Sequence, residues 1–246
     1  EISLPSNSKM KVRMIDCVGY IVPSALGYIE GETPRMVKTP WYDEEIPFNM
    51  AAEIGTQKVI SEHSTIGLVV TTDGSISEIP REEYAQAEER VINELKALNK
   101  PFVVLLNCKE PSSKASSALA SELSKSYCVP VIPVNCLEIT QNEIFGILSL
   151  ILSEFPIKEV KIDLPGWITS LSKEHWLRAD IFGKIRSLAS KLKKVSDINS
   201  FARSVAENEN IRSCVTESTD LSTGGAKLTV ALNPELFFKI IEEETG

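Results

Sequence analysis

The chain has 246 residues, 43% of them apolar and 24% charged, which suits packed cores and excludes a globally disordered chain. Its formal net charge of −8 excludes a general nucleic-acid binder, which needs a basic face to neutralise phosphates. The charge is uneven: residues 1–156 carry the whole net charge, whereas residues 157–246 balance 13 basic against 13 acidic side chains, a first sign of two domains.

The run Lys9-Met10-Lys11-Val12-Arg13-Met14-Ile15 alternates polar and apolar and predicts a half-exposed strand near a sheet edge, ended by Asp16-Cys17-Val18-Gly19. Residues 20–48 hold four prolines together with Tyr20, Tyr28, Trp41, Tyr42 and Phe48, and predict a long irregular loop of the kind that is functional or mobile. A helix is expected over 49–62 with Asn49 as N-cap, then a near-continuous apolar strand over 65–72, as in a parallel sheet covered on both faces. Asp73-Gly74 turns the chain into a helix over 81–98 with acids in its first turn. A strand at 102–107, a helix near 115–126 and a strand at 130–135 follow, and Thr140-x-x-Glu143 is a capping box opening a helix to about 155. Residues 9–155 thus predict βαβαβαβα, an α/β sheet of parallel strands with right-handed crossovers. The remainder changes character. A strand over 159–164, a break at Pro165-Gly166, helices to about 208, strands at 211–219 and 226–232 joined through Thr223-Gly224-Gly225, and a last helix over 234–244 predict a small α+β domain over residues 157–246.

Five cysteines, an odd number without a C-x-x-C, indicate buried free thiols rather than disulfides or zinc. Two distant histidines, His63 and His175, argue against a His-rich metal site. No apolar run reaches the ~18 residues of a membrane span, and the N-terminus is not built like a signal peptide. It lacks an initiator Met, so the chain is expected to begin inside a longer protein. His63 suits a helix C-terminus, Trp167, His175 and Trp176 suit a core cluster, and Lys191, Lys193 and Lys194 suit a solvated helix end.

The candidate chemistry lies at strand ends. In Asp16-x-x-Gly19 an Asp can order the water shell of a Mg²⁺, and a Gly amide can approach a γ-phosphate because no Cβ intervenes. Asn107-Cys108-Lys109-Glu110 stands where guanine-specific proteins carry N-K-x-D, with the Lys displaced and Glu replacing Asp; Asn107 either contacts a base or caps the turn. Asn135, in Val134-Asn135-Cys136, stands where such proteins carry S-A-K. Two altered base sites point to ATP or relaxed base choice rather than GTP. No G-x-x-x-x-G-K-[ST] occurs, so the chain has no phosphate loop to cradle the β- and γ-phosphates. The first strand, first helix and second strand of such a domain are expected to precede Glu1.

Asp16-Cys17-Val18-Gly19-Tyr20, Arg35-Met36, Thr39-Pro40-Trp41-Tyr42, Ile46-Pro47-Phe48, Ala51-Ala52-Glu53-Ile54-Gly55-Thr56, Glu62-His63-Ser64-Thr65-Ile66-Gly67, Thr71-Thr72-Asp73-Gly74, Ala87-Glu88-Glu89-Arg90-Val91-Ile92 and His175-Trp176-Leu177-Arg178 together resemble the stage IV sporulation protein A family, in the family's order. The resemblance implies an ATP-hydrolysing, self-polymerising scaffold of the bacterial spore coat, at the outer forespore surface inside the mother cell. It implies recruitment by a small amphipathic membrane peptide or a morphogenetic coat protein, and contact with the forespore membrane only indirectly. It also implies a P-loop domain of the translation-factor GTPase type followed by a middle domain. On it, residues 1–156 are the second part of the nucleotide domain, Asp16 is the Mg²⁺-associated carboxylate, acting through water, Gly19 is its catalytic neighbour, and Asn107 and Asn135 face the nucleotide. The alternative from a different class is a non-catalytic module of degenerate P-loop fold that docks coat partners.

Overall fold

The computed structural model describes residues 2–3, 9–220 and 223–245. The chain divides into two compact units, Glu1–Ile151 and Leu152–Gly246. The first opens with three antiparallel pairs of two-residue strands: β1 (Ile2–Ser3) with β2 (Lys9–Met10), β3 (Ile29–Glu30) with β4 (Thr33–Pro34), and β5 (Met36–Val37) with β6 (Ile46–Pro47). The strand expected over 9–15 does not form: beyond Met10 the backbone is irregular to residue 22, and Met14 is 84% exposed. Alternation alone cannot make a strand; a ladder partner is required, and among the described residues none lies beside residues 11–15.

From Phe48 the expected order appears. α1 (Phe48–Lys58) continues into a π-helical turn, Val59–His63, and β7 (Gly67–Thr72), α2 (Arg81–Ala97), β8 (Phe102–Asn107), α3 (Lys114–Tyr127), β9 (Val131–Val134) and α4 (Gln141–Ser153) follow. The three strands form a parallel sheet in the order β7-β8-β9, with Thr72 opposite Asn107 and Asn107 opposite Val134. β8 is central and buried on both faces; Val103, Val104 and Leu106 have no exposed surface. One face packs Val69, Phe102 and Val104 against Ile92 and Leu95 of α2 and Ile60 of the π turn. Gly67 is compact by necessity, since a Cβ there would lie 2.9 Å from the Phe102 side chain. β7 is an edge strand, and its Leu68 and Val70 stay 42% and 57% exposed.

Of the local signals for helix ends, Asn49 does not act as expected, since α1 starts at Phe48 with Pro47 at the N-cap and no side-chain cap, whereas the signal at Thr140 does. Thr140 and Glu143 form the capping box: Thr140 N donates to Glu143 Oε2 at 2.8 Å and Glu143 N to Thr140 Oγ1 at 3.3 Å. His63 closes the π turn, but the cation that satisfies its carbonyls is Lys100, whose Nζ donates to Ile60 O, to Ser61 O at 3.0 Å and to Ser64 O at 2.6 Å.

The second unit holds β10 (Glu159–Asp163), α5 (Gly166–Ser170), α6 (Trp176–Ala189), a 3₁₀ turn (Val195–Asp197), α7 (Ile198–Ala206), β11 (Ile211–Asp220), β12 (Gly225–Leu232) and α8 (Glu235–Thr245). Its sheet runs β10-β12-β11, parallel on one side of β12 and antiparallel on the other. Ala226, Leu228, Val230 and Leu232 alternate into a core with Leu177, Ile181, Phe201 and Val205. The opposite face is polar: Lys227 reaches Asp163 at 2.9 Å and Glu217 at 2.8 Å, which holds its ammonium charged well above the usual range. His175 N-caps α6, its Nδ1 accepting from Leu177 N at 3.2 Å, but Trp176 is 43% exposed and not a core residue. Lys194 is not simply solvated, since its Nζ pairs with buried Glu154. All five cysteines are free thiols, yet Cys17 and Cys128 are exposed rather than buried.

Lys100→Met should lower the stability of the first unit by about 1–3 kcal/mol, because three carbonyls lose a charged donor. A shifted urea midpoint with unchanged slope would show it; an unchanged midpoint would mean that water replaces the ammonium without cost.

Candidate functional site

Because β7, β8 and β9 are parallel and in register at their ends, the loops after Thr72, Asn107 and Val134 converge on one edge of the sheet, where open α/β sheets receive ligands. Asp73 organises this edge. Its Oδ1 accepts from Ser75 N at 2.9 Å and Ser75 Oγ at 2.6 Å, and its Oδ2 from Ser116 Oγ at 3.5 Å. Ser75 Oγ in turn accepts from Lys109 N at 3.0 Å. Gly74 has φ +87°, and a Cβ there would stand 3.0 Å from Arg81 N, so the turn requires glycine.

Asn107 sits in the middle of this edge. Its Oδ1 accepts from Cys136 N at 3.0 Å, pinning the loop after β9, while its NH₂ finds no partner among the described residues. Asn135 is fully engaged, its Oδ1 accepting from Leu137 N at 3.1 Å and its Nδ2 donating to Glu138 Oε2 at 3.1 Å and to Lys109 O, in the loop after β8, at 3.5 Å. Both asparagines lie at the edge where they were expected, but only Asn107 keeps donors for a bound group.

Asp16 and Gly19 are elsewhere. Gly19, at φ +81°, donates its N–H to Thr56 Oγ1 at 3.1 Å, and Thr56 is a buried residue in the last third of α1. Tyr20 places its ring under the Arg90 guanidinium, 4.0 Å from centroid to Cζ, and its OH donates to Glu94. Arg90 also bonds Glu53 of α1 at 3.1 Å and Glu94 at 3.3 Å. Burial, then the Glu94 carboxylate, raises the Tyr20 phenol well above its ordinary value, so it stays a donor. α1 and α2 run back against the strands, so their C-terminal ends lie at the strand starts. Lys100 and Pro101, which lead into β8, mark that level by bonding the π turn and Gly67 N. Thr56 and Glu94 therefore hold Gly19 and Tyr20 toward the strand starts, at the other end of the sheet from Asn107. The expectation that Asp16 ends a strand beside Asn107 is not met here. Without a ladder partner for residues 11–15, the segment is positioned by side chains of α1 and α2 instead.

Asp16 itself is exposed and forms no hydrogen bond or ion pair with a described residue. It shares a cleft of about 320 Å³ with Val18, Trp41, Gly55, Lys58 and His63. Among the described residues no three His, Cys, Asp or Glu side chains converge on a metal site. Asp16 is, among the described residues, the one carboxylate lining that cleft, so the protein by itself offers a Mg²⁺ a single acidic ligand there.

Comparison with known families accounts for both units. The model of the ATPase domain of stage IV sporulation protein A matches residues 1–156, and that of its middle domain matches residues 157–246. The chain belongs to the stage IV sporulation protein A family. It is 42% identical over 246 residues to stage IV sporulation protein A of Clostridioides difficile (strain 630), covering 100% of this chain and 50% of that protein. It is 40% identical over 245 residues to that of Bacillus anthracis, again covering 100% and 50%. Against that of Bacillus subtilis (strain 168) it is 40% identical over 237 residues, 96% of this chain and 48% of that protein. The chain thus spans about half the length of these relatives. No solved structure matches. Among the described residues no helix is long and apolar enough to cross a membrane.

Sequence reasoning missed Thr56, Asp73, Arg90 and Glu94 as organisers of the two sites. Arg90 and Glu94 have the i,i+4 spacing of a helical ion pair, a signal that was present. Thr56 gives none, since a Thr on the buried face of a helix looks like packing.

The 246-residue chain is expected to show no sub-micromolar ATP binding by calorimetry. The edge at Asn107 offers a side-chain amide donor, and no G-x-x-x-x-G-K-[ST] supplies phosphate contacts. Tight Mg²⁺-dependent binding would reveal a cradle elsewhere.

Proposed function

We propose that this chain is the later part of the nucleotide domain, together with the middle domain, of an ATP-hydrolysing scaffold that polymerises as the basement layer of the spore coat on the outer forespore surface. The observation that carries the reading is the edge at Asn107: a parallel sheet whose converging loops are braced by Asp73 and leave the Asn107 amide donors free, within a family whose domain is an ATPase. The edge of β7, unpaired among the described residues, supports a P-loop domain of the translation-factor GTPase type, since a further strand would pair along it. ATP binds there with Mg²⁺, which when bound neutralises charge developing on the phosphates. In this reading Asn107 orients the base, Asn135 shapes the loop beside it, and Asp16 with Gly19 reaches the phosphate end when its segment takes the strand-end position. Self-association is the expected partnership, with a small amphipathic membrane peptide or a morphogenetic coat protein anchoring the assembly in the mother cell.

The placement of Asp16 away from Asn107 favours a second reading, a non-catalytic module that docks coat partners. Turnover by the full-length protein, with and without Asp16→Ala, separates the two. The ATPase reading expects turnover to fall at least ~10-fold, the scale on which a positioned charge acts in phosphoryl transfer, with melting temperature unchanged because Asp16 is exposed. Turnover unchanged in Asp16→Ala removes Asp16 from the mechanism, and no turnover in either protein supports the module.

Assembly has its own test. Trp41 packs on α1, where a Cβ at Gly55 would meet its ring at 3.2 Å, whereas Tyr42 is 44% exposed. Aromatics are enriched at interface hot spots. Tyr42→Ala should reduce polymerisation in a light-scattering assay with stability intact, while Trp41→Ala should also lower the melting temperature. If Tyr42→Ala assembles normally, the loop is structural.

A further inference from the structure

The position of Gly19 and Tyr20 presents a choice between two acceptors. An amide N–H donates well to one acceptor at a time, and that of Gly19 is held by Thr56 Oγ1 at 3.1 Å. A phosphate oxygen that needs the same N–H must displace Thr56. The contact does not stand alone. The Tyr20 OH–Glu94 bond, the Arg90 guanidinium over the Tyr20 ring and the Arg90–Glu53 pair tie the segment to α1 and α2 at once. We propose that Thr56, Arg90 and Glu94 form a latch that parks the Asp16–Tyr20 segment away from the edge at Asn107, so that latch closure and nucleotide contact by Gly19 exclude one another. Thr56 is then a positioning residue and an autoinhibitory one, acting through the Gly19 amide. The inference rests on the ATPase reading above.

The chemistry suits a reversible device. Each latch bond is a single hydrogen bond or a partly exposed cation–π contact, worth little enough for a bound phosphate to outcompete. Opening need not strand the buried Thr56 hydroxyl, because a helical Thr can bond the carbonyl four residues back, here that of Ala52. Glu94 and Glu53 keep Arg90 as a partner when Tyr20 leaves, so α1 and α2 stay bridged in either state. Val would remove the Thr56 acceptor at nearly constant volume, and Phe would remove the Tyr20 donor while keeping the ring under Arg90.

The test uses the full-length protein and the non-hydrolysable analogue AMP-PNP with Mg²⁺. In nucleotide-free protein, Thr56→Val and Tyr20→Phe should each raise amide hydrogen exchange across residues 16–24, whereas Thr56→Ser, which retains the acceptor, should not. In calorimetry the same two variants should bind AMP-PNP about three- to tenfold more tightly, because a parked population no longer lowers the apparent affinity, and Thr56→Ser should match wild type. If wild type binds AMP-PNP but Thr56→Val and Tyr20→Phe bind it equally or more weakly, the latch is overturned and the ATPase reading stands. If wild type binds no AMP-PNP, both fall. Should Thr56→Val fail to fold, Tyr20→Phe alone decides.

Discussion

The first unit depends on β8 being buried on both faces and paired on both edges. Strands in that position cannot shift register without exposing a face or breaking two ladders, so the residue at the end is fixed by everything before it. That residue is Asn107. Its Oδ1 collects the loop after β9 and its backbone oxygen meets Asp73 N at 3.4 Å, so three loops are referenced to one strand end. The candidate site is therefore a consequence of core packing, and Val103, Val104 and Leu106 set its geometry without touching it.

β7 shows the opposite condition. Its inner face packs on α2, but its outer edge has no neighbour among the described residues, and Leu68 and Val70 remain in solvent. A free edge with exposed apolar side chains is a surface that proteins normally cover. The Asp16–Tyr20 segment is instead bonded to Thr56 and Glu94 and packed under Arg90. Asn107 and the Asp16–Tyr20 segment are thus held by different physics: Asn107 by the ladder, the segment by the bonds of Gly19 to Thr56 and of Tyr20 to Glu94.

The second unit has no comparable polar edge. Its chemistry is packing: one face of β12 in the core, the other carrying Lys227 between Asp163 and Glu217. Beside that polar face it also exposes aromatic side chains. Phe238 is 70% exposed, and Phe237 stacks edge-on against both Trp167 and Phe238 at 5.6 and 5.7 Å.

Local signals in the chain sufficed at the capping box and at elements buried on a regular period, though not at Asn49, which lies inside α1 rather than at its N-cap. Thr140 and Glu143 cap α4, the apolar runs at 67–72 and 102–107 form parallel strands, and residues 211–232 make the pair β11 and β12. Asn107 was legible for the same reason, as a polar residue ending a buried strand. What the sequence could not decide was anything needing a partner far along the chain. The alternation of residues 9–15 is a strand pattern, but a strand exists only when a second strand presents its hydrogen-bonding groups, and residues 11–15 have none beside them among the described residues. The bond from Gly19 to Thr56 spans 37 residues and that from Tyr20 to Glu94 spans 74, with no periodicity to announce either. Composition and spacing thus determined the elements and one end of the site; the tertiary structure alone decided where Asp16 lies, because its position is set by non-local hydrogen bonds rather than by its own local sequence.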